Sequence, residues 1–267
     1  MQQLRLPGAT WLHLAAAALM SLFAPIASAG APQPEVDTAL VVSVDVSNSV
    51  DAHRYKLQME GIAKALEDPE VLRAILNGPQ GGILFSMVTW ADRPRVAVPW
   101  TKISSAAEAA AVAKIVRALP RLDGEFTCLS KMLRSVADKV VPQIPGKPFR
   151  IIVDVSGDGQ ENCNPEEPLD VVRNELAASG VTINGLPILE GDEGPTLKGW
   201  YEENVKAGPG SFVLPSNGYG DFGRAIRQKF VIEISGTTPN ALPPVWGKRE
   251  TARAGDGSAP SSIVSAR

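Results

Sequence analysis

Two stretches of this sequence are apolar and β-branched almost throughout, Ala39 to Val46 (ALVVSVDV) and Phe149 to Val155 (FRIIVDV). Such runs are typical of strands that are covered on both faces, because a strand with one solvated face alternates apolar and polar residues. Amphipathic stretches lie between the apolar runs, as at Tyr55, Met59 and Ile62, which recur at helical spacing. Strands that alternate with helices predict a mostly parallel sheet with helices on both faces.

One strand of this sheet is expected to run antiparallel. Leu84 to Trp90 and Arg95 to Trp100 read as strands, and the connection Asp92-Arg93-Pro94 is too short for a crossover helix. A short run from Phe212 to Leu214 is predicted as a last strand. The sequence therefore predicts a doubly wound, Rossmann-like α/β fold with a six-stranded sheet.

The beginning of the sequence has the composition of an export signal. A largely apolar, alanine-rich stretch from Trp11 to Ile26 precedes the small residues Ala27-Ser28-Ala29, so residues 1–29 are interpreted as a signal peptide that is cleaved before Gly30. An uncleaved membrane anchor is the alternative, but the apolar stretch is interrupted by a proline and is short for a span. We therefore expect a periplasmic or secreted protein without stable membrane insertion after cleavage.

The remaining chain is predicted to form one domain and a tail. Residues 236–267 are rich in Gly, Pro, Ser, Thr and Ala, a composition typical of disorder, whereas residues 36–235 are sufficient for one domain with a sizeable core. The formal net charge is −3, and no basic patch is interleaved with aromatic residues, so nucleic acid is not an expected partner.

Oxygen-bearing side chains collect where the two main strands are predicted to end. Asp45, Ser47 and Ser49 occupy alternate positions after the first strand, Thr127 precedes the third helix, and Asp158 follows the central strand between two glycines. In doubly wound sheets, ligands bind beyond the carboxyl ends of the strands. Two carboxylates and three hydroxyls form a hard donor set, which favours Mg²⁺.

Each of these residues also has a structural interpretation. Ser47, Ser49 and Thr127 are residue types that cap helices, and an aspartate between glycines is common in turns. Asp45 is harder to explain in this way, because a carboxylate at the end of an apolar strand is unfavourable unless something compensates its charge. The joint placement of the five residues favours a metal site. Asp154, inside the second apolar run, is interpreted as a structural hydrogen-bonding residue.

This pattern resembles the metal-ion-dependent adhesion site (MIDAS) of von Willebrand factor A-type (vWA) domains. In that family Asp-x-Ser-x-Ser follows the first strand, a Thr precedes the third helix and an Asp follows the fourth strand, and Asp45, Ser47, Ser49, Thr127 and Asp158 match in order. The resemblance covers roughly residues 36–235. The phrases Ser-Gly-Asp-Gly-Gln-Glu-Asn and Val-Asp-Val-Ser-Asn-Ser are similar to an exported bacterial branch of unknown function.

The resemblance implies a protein-binding module and not an enzyme. The hydroxyls would bind Mg²⁺, or Mn²⁺ or Ca²⁺, directly or through water. An aspartate would orient these ligands without touching the ion, and an acidic residue of a protein partner would complete the coordination. Two alternatives remain: a Mg²⁺-dependent hydrolase of a phosphate ester, and a structural vWA domain without metal.

The only two cysteines stand beside this predicted site. Cys128 follows Thr127, and Cys163 lies five residues after Asp158, so loops that converge on one ion would bring the sulfurs together and allow a disulfide. A pair of thiolate ligands for zinc is the alternative. Glu161 and Asn162 are either contacts for a partner at the rim of the site or ordinary polar loop residues.

Overall fold

The computed structural model describes residues 35–163 and 166–237. The predicted signal peptide, and the predicted tail beyond Thr237, lie outside the described residues. The strands of the sheet are β1 (Val36–Asp45), β2 (Ile83–Trp90), β3 (Arg95–Ile103), β4 (Pro148–Gly157) and β5 (Val181–Pro187). The described α-helices are α1 (Ala52–Glu67), α2 (Pro69–Leu76), α3 (Ala106–Ala118), α4 (Leu129–Ser135), α5 (Leu169–Ala178), α6 (Gly194–Asn204) and α7 (Phe222–Ser235).

The sheet is mixed, and its strands lie in the order β3-β2-β1-β4-β5. β1 pairs in parallel with both β2 and β4, and β5 extends the parallel part beyond β4. β3 runs antiparallel to β2, which confirms the prediction made from the short connection between them. The α/β fold with one antiparallel strand is therefore confirmed.

The prediction of six strands is wrong for the part of the chain that the structure describes, where the sheet has five. The segment predicted as the last strand meets β5 and the residues after it through two isolated bridges, Gly185 with Val213 and Ile188 with Ser216. Pro215 lies between the two bridging residues and has no N–H to donate, so a continuous ladder cannot form there.

β1 forms the centre of the core because all ten of its residues are buried. Leu40, Val42 and Val44 belong to a core cluster shared with α1, α3 and α7, whereas Val41 belongs to a cluster shared with α4, α5 and α6. Alternate residues of one strand thus face two different layers of helices. This arrangement explains why the sequence of the strand is almost continuously apolar.

Two helical segments differ from a simple reading of the sequence. α2 follows α1 almost directly, and Asp68 ends α1 and also caps α2 by accepting a hydrogen bond from Glu70 N (2.8 Å). After α4 the chain continues as a π-helical turn over Val136–Val140. Within the described ranges, none of the helices has the length and apolarity that crossing a bilayer requires.

The connections after β1 and β4 leave the sheet toward opposite faces. β1 leads to α1, whose buried residues include Met59 of the first core cluster, and β4 leads to α5, whose Val172 belongs to the second. A crevice opens where the connections from two adjacent parallel strands leave toward opposite faces of the sheet. The loops that carry the predicted metal ligands border it.

Candidate metal site

The turn after β1 directs Asp45 and two serines toward the crevice. Asp45 is fully buried, and its Oδ1 accepts a hydrogen bond from Ser47 N (2.8 Å). Asp51 caps α1 by accepting from Arg54 N (2.8 Å), so neither Ser47 nor Ser49 caps that helix. The hydroxyls of both serines are therefore available for another role.

Thr127 is held in place by the loop after β4. Its N–H donates to Asn162 Oδ1 (2.8 Å), and Asn162 N donates to the Thr127 carbonyl (3.1 Å). At the beginning of α4, Ser130 N donates to Glu161 Oε2 (2.7 Å), and the N-cap residue Cys128 makes no side-chain capping bond. The capping interpretation of Thr127 therefore has no support, and its hydroxyl points to the serines.

Asp158 approaches from the end of β4, where two glycines permit close contact. Ser49 Oγ donates to Asp158 Oδ1 at 2.7 Å. A Cβ atom on Gly157 would lie 2.8 Å from the Tyr201 hydroxyl and 3.0 Å from Asp45 Oδ2, and one on Gly159 would lie 3.3 Å from Thr127 Oγ1. Side chains at positions 157 and 159 would therefore crowd the predicted ligands.

The five predicted ligands come together at one point. Ser47 Oγ lies 3.2 Å from Ser49 Oγ and 3.4 Å from Thr127 Oγ1, in addition to the 2.7 Å contact between Ser49 and Asp158. Adjacent ligands of an octahedral ion with bonds of about 2.0–2.1 Å are separated by about 2.9 Å. The spacing of these oxygens therefore fits a cation of the size of Mg²⁺.

The electrostatics of Asp45 also fit a cation. Burial raises the pKa of the Asp45 carboxyl to about 7, and the charge of Asp158 adds to this effect, while hydrogen bonds from the backbone and side chain of Ser47 and from Thr127 oppose it. Asp45 Oδ2 is buried and has no hydrogen-bond partner in the described part of the chain. A nearby cation would favour the ionised carboxylate and compensate this buried atom.

Tyr201 borders the site and gives no signal in the sequence. Its ring is fully buried on α6, and its hydroxyl has no hydrogen-bond partner among the described residues. Burial and the charges of Asp45 and Asp158 raise the pKa of the Tyr201 hydroxyl well above its usual value. A tyrosine at an apolar helix position reads as a core residue, so only the three-dimensional structure places it beside Asp45.

A pocket of about 220 Å³ opens over the hydroxyl ligands, and acidic residues surround it. Asp158, Glu190, Asp192 and Glu193 line the pocket together with one basic residue, Arg54. Arg54 donates to Glu190 Oε1 (2.7 Å) and to the Ser49 carbonyl (2.6 Å). The margin of the pocket is therefore negatively charged overall.

The predicted disulfide joins the beginning of α4 to the loop after β4, which also carries the residues predicted as a partner rim. Cys128 and Cys163 form a disulfide with a Cα–Cα distance of 5.2 Å, which confirms the predicted bond and excludes the pair of zinc thiolates in this oxidised form. Asn162 lines the pocket, whereas the Glu161 carboxylate binds Ser130 N. Their role at a partner rim stays a prediction.

Comparison with known proteins places the chain in a family. Residues 35–238 match the family described as "Protein of unknown function (DUF1194)". The chain belongs to this family. No curated protein matches the chain significantly. The description of the family names no activity.

Solved structures show that this DUF1194 member has the vWA fold. Proximal thread matrix protein 1 from the mussel byssus matches with a TM-score of 0.58 and 17% identity over 76% of this chain and 48% of that chain. The same mussel protein with a zinc-occupied MIDAS motif matches with a TM-score of 0.57 and 19% identity, over 77% of this chain and 49% of that chain. A von Willebrand factor type A protein from Catenulispora acidiphila matches with a TM-score of 0.55 and 15% identity, over 74% of this chain and 43% of that chain. The chain spans just under half the length of these proteins, and the likeness confirms the predicted vWA-like fold.

Proposed function

We propose that this protein is a non-enzymatic binding module that holds a divalent cation in the crevice and, when loaded, binds an acidic residue of a partner protein. The cation is Mg²⁺ or another divalent ion such as Mn²⁺ or Ca²⁺. The module acts outside the cytoplasm, in the periplasm or as a secreted protein. This location rests on the composition of residues 1–29.

One observation carries the proposal: three hydroxyls and two carboxylates converge although none of the hydroxyls is needed by a helix. Asp51 and Glu161 satisfy the N-termini of α1 and α4, and these are the helices that the serines and Thr127 precede. The zinc-occupied MIDAS motif of the mussel protein supports the same interpretation by analogy of fold.

The chain's own residues have distinct tasks in this proposal. Ser47, Ser49 and Thr127 would hold the cation with neutral oxygens, and Asp45 and Asp158 would provide negative charge behind and beside them. A divalent cation with few anionic ligands supplies an electrophilic centre that accepts a further carboxylate oxygen. The disulfide and Asn162 keep Thr127 in position.

The acidic margin of the pocket determines the order of binding. Glu190, Asp192 and Glu193 would repel a carboxylate that approaches before the cation is bound. We therefore expect binding of an acidic partner to depend strictly on the cation.

Titration calorimetry of chelator-treated protein with Mg²⁺ tests the first half of the proposal. The wild type is expected to bind one ion per chain, and Asp45→Ala is expected to lower the affinity by at least about tenfold while the fold survives. Asp170→Ala, which removes an exposed carboxylate from α5, is the matched control and should bind as the wild type does. Equal affinity of Asp45→Ala and the wild type would overturn the proposal.

Peptide capture tests the second half. The Mg²⁺-loaded protein is expected to select peptides with an accessible Asp or Glu, and to lose them on chelation or when the acid is replaced by its amide. Selection that ignores both changes would contradict the acidic partner.

Export is tested by N-terminal sequencing of the protein from the cell envelope, where a mature chain beginning at Gly30 is expected. A full-length chain in the cytoplasm would contradict export.

A further inference from the structure

A second cluster of charged residues lies between β4 and α7 and contains none of the predicted metal ligands. Lys229, Asp154 and Glu233 are each at most 3% exposed, although full burial is unusual for all three residue types. Asp154 lies in the middle of β4, and Lys229 and Glu233 lie one turn apart on α7. The proposed cation and partner make no use of this cluster.

The distances inside the cluster bring an amine into contact with two carboxyl groups. Lys229 Nζ lies 3.3 Å from Asp154 Oδ1 and 3.0 Å from Glu233 Oε1. Asn184, which is paired with Asp154 across β4 and β5, donates from Nδ2 to Glu233 Oε1 (2.8 Å). The Phe212 ring covers the amine, with its centroid 4.4 Å from Nζ. The amine is therefore confined between carboxyl groups and an aromatic ring.

The charges of the cluster do not balance if every group is ionised, because two carboxylates then face one ammonium. Burial and the charge of Glu233 raise the pKa of the Asp154 carboxyl well above its usual value, although Lys229 opposes this effect. Asp154 is thus the carboxyl group on which burial favours a proton, while Asn184 donates a hydrogen bond to the other carboxyl group, Glu233.

We propose that Lys229 and Asp154 join covalently, through an amide bond between Lys229 Nζ and Asp154 Cγ. A protonated carboxyl is the electrophile that an amine can attack, and Glu233 is placed to accept a proton from the ammonium. Fixed contact between two reacting groups corresponds to effective concentrations of about 10⁵–10⁸ M when their orientation is favourable. Exclusion of water from this part of the core disfavours hydrolysis of the product.

The reaction balances without any further reagent. Glu233 takes one proton from the Lys229 ammonium, and the amine then forms the bond to Asp154 Cγ. The bond between Cγ and the Asp154 hydroxyl breaks, and this hydroxyl leaves as water with a second proton from the nitrogen, relayed by Glu233. The ammonium, the carboxylic acid and the carboxylate thereby become an amide, one water molecule and a protonated Glu233. Buried charge is removed by the reaction, which favours the product.

The mass of the intact full-length chain, measured after reduction of the disulfide, tests this proposal. The wild type is expected to be lighter than its sequence by one water molecule. Tryptic digestion should then give the peptide that begins at Ile151 joined to the peptide that begins at Gln228, because an acylated Lys229 is not cleaved. A wild-type chain with the full sequence mass, or a loss of water without this joined peptide, would overturn the proposal.

Variants distinguish the roles of the three residues. Lys229→Arg keeps the positive charge but should retain the full mass, and Glu233→Gln should do the same because it cannot accept the proton. Lys198→Arg is the matched control, since Lys198 forms an exposed pair with Glu202 at the same helical spacing on α6, and it should lose water as the wild type does. A joined peptide in Lys229→Arg, or an unlinked Lys198→Arg, would contradict the assignment.

Discussion

Ser49 Oγ donates to Asp158 Oδ1 at 2.7 Å, although the two residues are 109 positions apart in the sequence. The bond connects the loop after β1 to the loop after β4, the two strands between which the crevice opens. Thr127 completes the group through its contact with Ser47.

Removal of one hydroxyl ligand should weaken cation binding without unfolding the protein. Ser49→Ala is expected to lower the affinity for Mg²⁺ about tenfold or more, because a neutral oxygen donor is lost while the backbone turn remains. Thr101→Ala removes a hydroxyl from β3 near the opposite end of the sheet and serves as the control. Titration calorimetry measures both, and unchanged affinity of Ser49→Ala would contradict the assigned ligand.

The variant Tyr201→Phe should weaken cation binding without lowering the stability of the fold. The hydroxyl has no partner in the described part of the chain, so its removal is expected to leave the thermal midpoint of the cation-free protein unchanged or slightly raised. The affinity for Mg²⁺ should fall several-fold, because the hydroxyl and the unpartnered Asp45 Oδ2 both border position 157, and a carboxylate ionised by the cation would accept from this hydroxyl. A lower thermal midpoint with unchanged affinity would assign Tyr201 to packing alone.

A methyl group at position 157 should disturb both the fold and the site. Gly157→Ala would place Cβ 2.8 Å from the Tyr201 hydroxyl and 3.0 Å from Asp45 Oδ2, so we expect a loss of about 1–3 kcal/mol in the free energy of unfolding. Gly199→Ala on α6 meets nothing within 4 Å and should be neutral or stabilising by about 0.5–1 kcal/mol. Urea denaturation measures the free energy of unfolding of both variants. Equal changes in the two would show that the neighbours of position 157 move away from the new methyl group, which would contradict this prediction.

Loss of the disulfide should affect stability and cation binding together. Replacement of Cys128 and Cys163 by serine is expected to lower the free energy of unfolding by about 2–4 kcal/mol. Affinity for Mg²⁺ should also fall, because Thr127 is adjacent to Cys128. Addition of a reductant to the wild type should reproduce both effects and leave the double variant unchanged; a wild type insensitive to reduction would contradict this role.

The loop before Thr127 should lose stability in acid. Asp92 accepts hydrogen bonds from Glu125 N (2.8 Å) and Phe126 N (3.0 Å), and these bonds hold the pKa of its carboxyl below the usual 3.8. A lowered pKa in the folded state stabilises the fold above pH 3.8, and this contribution disappears as the pH falls through the folded-state pKa.

Asp92→Asn tests this contribution because an amide offers one acceptor oxygen where two are used. We expect it to destabilise the protein by about 1 kcal/mol at pH 7, and the difference from the wild type should shrink below pH 4. Denaturation curves across this range measure the effect. Asp123→Asn, in the loop before Thr127 and with a fully exposed side chain, is the control. A difference that stays constant with pH would contradict the mechanism.

The sequence predicts the strands and the convergence of the candidate metal ligands because both depend on local patterns. Unbroken apolar runs identify β1 and β4, and polar residues at their ends meet wherever parallel strands are adjacent. The last predicted strand fails because Pro215 interrupts its pairing, an effect that three apolar residues do not reveal. Periodicity alone also does not divide the helical region into α1 and α2, a division that depends on Asp68 capping one helix and ending the other.

Other features depend on contacts that no local pattern contains. Asp154 stands out in its strand, but its contact with Lys229 Nζ, at 3.3 Å, comes from a helix 75 residues further along the chain. Lys229 itself reads as a surface residue of an amphipathic helix. Tyr201 likewise requires the packing of α6 against the end of β4 before its position is apparent.

The excess of acidic residues around the pocket acts at distances beyond direct contact. A field of this sign concentrates dissolved metal ions near the opening and keeps small anions such as phosphate away from it. Recruitment of the cation should therefore slow as ionic strength rises, because salt screens the field over about 10 Å at 0.1 M. Under the proposed function, a partner that enters despite this field would need basic groups around its acidic residue, so the pocket would select for the charge pattern of a whole surface and not for one side chain.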